Sequence, residues 1–144
     1  MPPEITADAP FAFHDTPVLP AGFTCAARNC GLKPDGQPDL ALFYSAAPAQ
    51  AAAVFTRNLL PGAPIIVGRE IIKKGRLRAV VVNSKISNVG NGEEGVRNAR
   101  RMGAAAAQEL GVPADEVLMS STGVIGLRLP IERIEAGLRG MAAE

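Results

Sequence analysis

The sequence predicts an α/β (α+β) domain with helices layered on a sheet, and three features carry the prediction. Leu77 to Asn83 is a β-branched apolar run that reads as a buried strand. Asn91 to Leu110 places Val96, Ala99, Gly103, Ala106, Ala107 and Leu110 on one face at helical spacing. A further apolar run, Val117 to Ser120, precedes a last amphipathic segment with Ile131, Ile134, Leu138 and Met141 as its stripe. Strands followed by strand–helix–strand–helix describe a sheet carrying a helical layer. The 144 residues read as one domain, long enough to bury a core. Hydrophobic residues at 47% and charged residues at 20% exclude wholesale disorder.

The elements follow in chain order. Residues 1–39 carry Pro2, Pro3, Pro10, Pro17, Pro20, Pro34 and Pro38, which forbid a long helix. They are expected to form an irregular arm, 1–19 wholly so, with one short strand near Gly22 to Ala27. Asp39 to Tyr44 and Ala52 to Thr56 read as neighbouring strands, and Pro64 to Val67 as a third. Arg69 to Lys74 reads as a short helix stopped by Gly75. After the Leu77–Asn83 strand, Ser84 to Gly92 is a polar, glycine-rich loop. Asn91 is placed to cap the next helix and Glu94 to close a capping box. Arg97, Arg100 and Arg101 fall largely on its polar face. Gly111 stops that helix and Pro113 blocks continuation. Pro130 suits the first turn of the last helix.

Composition narrows the function classes. Fifteen basic and fourteen acidic side chains give a formal charge of +1, no field for gathering a polyanion. Aromatic residues at 4%, without Trp, make a base-stacking platform a poor expectation. No nucleic-acid partner is therefore expected. Cys25, Cys30 and His14 cannot furnish four zinc ligands, and the cysteines read as reduced thiols, although a disulfide between them stays open. Met1-Pro2-Pro3-Glu4 lacks the basic start of a signal peptide, and no apolar run is long enough to span a bilayer. The expectation is a cytoplasmic protein without a membrane partner, metal or cofactor.

Three motifs invite a chemical reading. Gly90-Asn-Gly92-Glu-Glu-Gly95 matches the dinucleotide fingerprint G-x-G-x-x-G after a strand and at a helix start. Its loop is too long for the tight turn of that motif, and Glu93 and Glu94 would repel a pyrophosphate at the helix N-terminus. A glycine-rich turn is the preferred reading. Lys73, Lys74, Arg76 and Arg78 could hold an anion, but a solvated helix end is the plainer account. His14 beside Asp15 lies in a proline-rich arm, poor material for a rigid catalytic base. Ser120-Ser121-Thr122-Gly123-Val-Ile-Gly126 ends a strand with hydroxyl residues and glycine. The Gly123 N–H and the Thr122 hydroxyl can donate to a developing oxyanion. On these residues alone an ordinary strand-to-loop turn is the stronger reading.

The chain resembles the ornithine acetyltransferases, the ArgJ family. The matching stretches are Pro20-Ala-Gly-Phe23, Gly31-Leu-Lys33, Asp39-Leu-Ala-Leu42, Ala52-Ala-Val-Phe-Thr-Arg-Asn58, Ala63-Pro64, Gly75 to Ser84, Gly111-Val-Pro113, Ser121-Thr-Gly-Val-Ile-Gly126 and Leu129-Pro130. Together Ala-Val-Phe-Thr-Arg-Asn and Ser-Thr-Gly-Val-Ile-Gly are highly specific. The resemblance implies an architecture like that of ArgJ and DmpA, of N-terminal-nucleophile type. It implies an enzyme that moves an acetyl group from N-acetylornithine to glutamate in arginine biosynthesis, with use of acetyl-CoA left open. Family precursors cut themselves before a threonine, which starts the β chain and forms an acyl-enzyme. Residues 1–144 would then be α-chain sequence, catalytic only with its β chain in an α2β2 assembly. The nucleophile is not in this chain. The resemblance assigns the oxyanion hole to Thr122 and Gly123. The family pattern after the central strand is Asn-Ser-Gly-Asn-Ala-Asn-Ala-Cys-Thr-Gly, whereas here it is Asn83-Ser-Lys-Ile-Ser-Asn-Val-Gly-Asn-Gly92. The alternatives are an ArgJ-like paralogue with another acyl donor or acceptor, and a ligand-binding domain built on Gly90–Gly95.

Overall fold

The computed structural model describes residues 18–143, so His14 and most of the expected arm lie outside the described residues. In chain order the elements are β1 (Phe23–Arg28), β2 (Leu40–Gln50), α1 (Ala63–Ile71), β3 (Arg76–Asn83), α2 (Gly92–Leu110), β4 (Val117–Ser121) and α3 (Ile131–Leu138). The strands form one sheet in the order β1-β2-β3-β4. The first three are antiparallel, and β3 pairs with β4 in parallel, Ala79 opposite Val117 through Asn83 opposite Ser121. A parallel pair needs a crossover, and α2 supplies it.

β3 alternates strictly, with Leu77, Ala79, Val81 and Asn83 buried. Its buried face joins Leu40, Leu42, Val117 and Met119 in a core closed by Ala99, Met102 and Ala106 of α2 and by Ile134 and Leu138 of α3. The stripe expected for α3 is buried at every position, including Met141 just beyond it. In α2 the expected face is right, and Met102 and Asn98 share it. Small residues set the spacing: a Cβ on Gly103 would overlap the methyl end of Met119. On the opposite face of the sheet, Cys25, Phe43, Val80 and Leu118 fall in one row, with Phe23 and Phe43 each about two-fifths exposed.

Four expectations are corrected. Pro64 to Val67 is helical, not a strand. Gly62 precedes α1, Pro64 lies in its first turn, and the Ile65 and Ile66 N–H groups donate to the Gly62 carbonyl. Proline in a first turn is preorganised for helix, and burial of Ala63, Pro64 and Val67 outweighs the β-preference of the branched residues. The helix expected from Arg69 is the continuation of α1 through a 3-10 turn, Ile72–Lys74, which ends at Gly75 with φ +68. Ala52 to Thr56 is not a strand but irregular chain beside α1. There the Arg69 guanidinium donates to the Thr56 carbonyl at 2.6 Å, and the Asn58 side chain accepts from the Leu60 N–H at 2.9 Å. Finally, the Asn91 side chain makes no cap to α2. Its amide donates to the Leu127 carbonyl at 2.9 Å instead.

Asp39, only 2% exposed, fixes the turn before β2. Its carboxylate accepts the backbone N–H groups of Cys30, Leu32 and Lys33, each at 2.7 Å. Burial opposes its charge, yet these donors hold its pKa below the usual carboxylate value. Burial, followed by the neighbouring Asp39, pushes the Cys30 thiol up to about 12. Cys25 and Cys30 are both free thiols.

Candidate functional site

The site begins where β3 and β4 end side by side. Asn83, with 0% exposure, is the last residue of β3. Its side-chain oxygen accepts the Ser121 hydroxyl at 2.6 Å, and its amide donates to the Ile86 carbonyl at 2.8 Å. The Asn83 carbonyl accepts the Thr122 N–H at 3.0 Å. One buried asparagine thus ties the loop after β3 to the turn after β4.

That loop is held from both sides. The Lys85 carbonyl accepts the Val124 N–H at 2.9 Å, and the Val124 carbonyl accepts both the N–H and the hydroxyl of Ser87 at 3.0 Å. Buried Asn88, with φ +51, donates its side-chain amide to the Gly95 carbonyl at 2.9 Å and accepts the Ala63 N–H at 3.0 Å. Asparagine tolerates this left-handed conformation better than most residues. The loop therefore joins the starts of α1 and α2 to the turn after β4.

Thr122 and Gly123 lie in that turn and are exposed. Gly123 has φ +129 and packs so closely on the backbone of Lys85 that a Cβ would overlap the Lys85 carbonyl group. Among the described residues, neither the Gly123 N–H nor the Thr122 hydroxyl has a hydrogen-bond partner, whereas the Thr122 N–H is spent on Asn83. Two adjacent donors are thus left open at a rigid turn. Beside it runs a groove of about 470 Å³, lined by Val54, Phe55, Thr56 and Asn58 on one side and by Ser121 and Ile125 on the other. The two segments that are highly specific together, Ala53–Asn58 and Ser121–Gly126, meet across this groove.

The other candidates lead elsewhere. Lys74 pairs with Asp115, and Arg76 binds Glu116 at 2.8 Å. Arg78 donates to the Tyr44 hydroxyl at 2.5 Å and to the Ser45 and Ala46 carbonyls at 2.8 and 2.9 Å, bracing the register shift in β2. These cations hold the sheet's end together. Glu93 and Glu94 stand in the first turn of α2, with Glu94 3.7 Å from Arg128, so carboxylates occupy the ground a pyrophosphate would need. Among the described residues no group of His, Cys, Asp and Glu could hold a metal, and no helix is long and apolar enough to cross a membrane.

Comparison with known proteins gives this geometry its setting. The family model described as "ArgJ family" matches residues 24–144. The chain belongs to the ArgJ family. It is 44% identical over 122 residues to the arginine biosynthesis bifunctional protein ArgJ of Thermotoga neapolitana, covering 83% of this chain and 30% of that protein. It is 47% identical over 121 residues to the protein of the same name in Thermus thermophilus, covering 83% and 32%. The crystal structure of an ornithine acetyltransferase from Mycobacterium tuberculosis, complexed with ornithine, superposes with a TM-score of 0.82 at 38% identity, covering 87% of this chain and 68% of that one. The fold is thus the mixed sheet-and-helix fold of ArgJ structures, of N-terminal-nucleophile type. The chain spans about a third of the length of the curated ArgJ relatives it matches.

Sequence reading did not foresee Asn83 and Asn88 as the fasteners of the site. The available signal was an asparagine ending a strongly apolar strand and another inside a loop otherwise rich in small residues. Phe55 and Thr56 were expected in a strand, so their place on the groove was also missed.

Proposed function

We propose that residues 1–144 are α-chain sequence of a self-cleaving acyltransferase, and that this chain supplies the oxyanion hole for acetyl transfer from N-acetylornithine to glutamate. The observation that carries the proposal is the pair of open donors, the Thr122 hydroxyl and the Gly123 N–H, on a turn pinned at both ends beside the groove. The names of the relatives, which speak of arginine biosynthesis and ornithine acetyltransferase, support the same chemistry.

In this reading a threonine at the start of the β chain attacks the acetamide carbonyl of N-acetylornithine. A C–O bond forms, negative charge develops on the carbonyl oxygen, and the two donors stabilise it without having to reorganise. The C–N bond then breaks, and the hydroxyl proton leaves with the ornithine amine. The glutamate amine attacks the resulting ester, passes through a second oxyanion at the same donors, and returns a proton to the threonine oxygen as the C–O bond breaks. The same two donors thus serve both halves of a ping-pong cycle. The partly exposed apolar row on the outer sheet face, with Phe23 and Phe43, supports docking of a further chain there. An α2β2 assembly in the cytoplasm completes the proposal.

The test is acetyl transfer from N-acetylornithine to glutamate by the purified chain, alone and co-expressed with the remainder of the protein. Turnover only in the assembly, with an acetylated threonine trapped by mass spectrometry, is the expected result. Turnover by the chain alone would contradict the proposal.

A further inference from the structure

Lys85 has φ +78, a left-handed conformation that strains a residue with a Cβ. The hydrogen bonds explain the backbone. Asn83 binds the carbonyls of Ser84 and Ile86, the Ser84 N–H donates to Asp39, and the Lys85 carbonyl accepts Val124. None of these bonds uses the lysine side chain. A glycine would satisfy all of them without strain, and glycine stands at this place in the family pattern given above.

The charge is the feature that the fold leaves unused. Lys85 is exposed and has no ion-pair partner among the described residues. In the loop 84–91 and the turn 121–127 it is the only ionisable side chain. Arg128, the residue that follows that turn, is engaged with Glu94. Gly123 packs directly on the Lys85 backbone, so this ammonium is rooted next to the two open donors. A four-carbon stem gives it room to swing toward a molecule held there.

We propose that Lys85 is a specificity-determining residue that selects, by charge, the amino acid whose amine carries the acetyl group. It favours a substrate with an anionic side chain, such as glutamate, and disfavours one with a cationic side chain, such as ornithine. The proposal rests on the acetyl-transfer reading above and assigns the two halves of that reaction unequal electrostatics.

The experiment uses the assembled protein and compares wild type with Lys85→Gln, Lys85→Gly and Lys85→Arg. KM is measured for glutamate as acceptor and for N-acetylornithine as donor. Lys85→Gln should raise KM for glutamate about fivefold, the size of a partly solvated ion pair, while KM for N-acetylornithine falls. Lys85→Arg should keep the wild-type order. Lys85→Gly should lose the preference while melting at a higher temperature, because the backbone strain is gone. High salt should narrow the gap in the wild type and leave Lys85→Gln unmoved. A transferring enzyme in which Lys85→Gln leaves both KM values unchanged, or shifts them together, overturns the role of Lys85 alone. A wild-type assembly that moves acetyl from no N-acetylated amino acid overturns the acetyl-transfer reading and this inference with it.

Discussion

A Cβ at position 123 would meet the carbonyl group of Lys85, which is backbone and cannot swing away. Gly123→Ala is therefore expected to destabilise the fold by roughly 3 kcal/mol through the positive φ and the overlap together. Thermal melts of the variant and wild type check this, and an unchanged melting temperature would show that the turn relaxes freely. Asp39 makes a second prediction, this one in pH. Its folded pKa is depressed, so it contributes stability that is present above its unfolded value, near 3.9. That stability is lost as pH falls through the lower folded value. Chemical denaturation of wild type from pH 7 down to pH 3 should show a loss in this window, and Asp39→Asn should be weaker at pH 7 with less of that slope. Equal slopes in the two proteins would mean that the carboxylate charge is not what holds Cys30, Leu32 and Lys33.

At the scale of elements, packing decides which substitutions the helices accept. Gly103 of α2 lies over the methyl end of Met119, a flexible group that can move aside. Gly103→Ala should be near neutral, since helix propensity gains about what the contact loses. Gly103→Val should cost about 1–3 kcal/mol by overpacking, and denaturant titration distinguishes the two. The same physics explains what could be read in advance. β3, α2, β4 and α3 were legible because their apolar periodicity is long or strict and each faces one core. Pro64 to Val67 was misread because a four-residue apolar run suits helix and strand equally, and only burial against β4 and α2 decides. Ala52 to Thr56 was misread because its apolar residues serve a groove, not a sheet: Val54 is fully exposed, while Phe55 lies against Gly68 of α1. Asn91 was assigned a helix cap because a cap is local and readable, whereas the shorter of its two side-chain bonds reaches Leu127, 36 residues away. Of the candidate site, the sequence offered Thr122 and Gly123 as possible donors, although on those residues alone an ordinary turn was the stronger reading. It concealed the asparagines that hold the turn, because the deciding bonds are tertiary: Asn83 reaches Ser121, 38 residues away, and Asn88 accepts from Ala63 at the start of α1.

For the whole molecule, the chain is a sheet with one face covered by α2 and α3 and the other partly bare, and the curated relatives it matches are about three times as long. In the proposed division of labour this chain offers open donors on a turn pinned at both ends, and a threonine at the start of the β chain is the nucleophile. The central claim is that the Thr122 hydroxyl stabilises the oxyanion in the assembled enzyme. Its most direct test is steady-state kcat for acetyl transfer from N-acetylornithine to glutamate, wild type against Thr122→Ala, in assemblies with matched melting temperatures. Losing one oxyanion donor costs about 3 kcal/mol, so kcat should fall on the order of a hundredfold, with KM little changed because the ground-state carbonyl binds the hydroxyl weakly. The Gly123 N–H should leave a measurable residual rate. A folded, assembled Thr122→Ala enzyme with wild-type kcat would contradict the account.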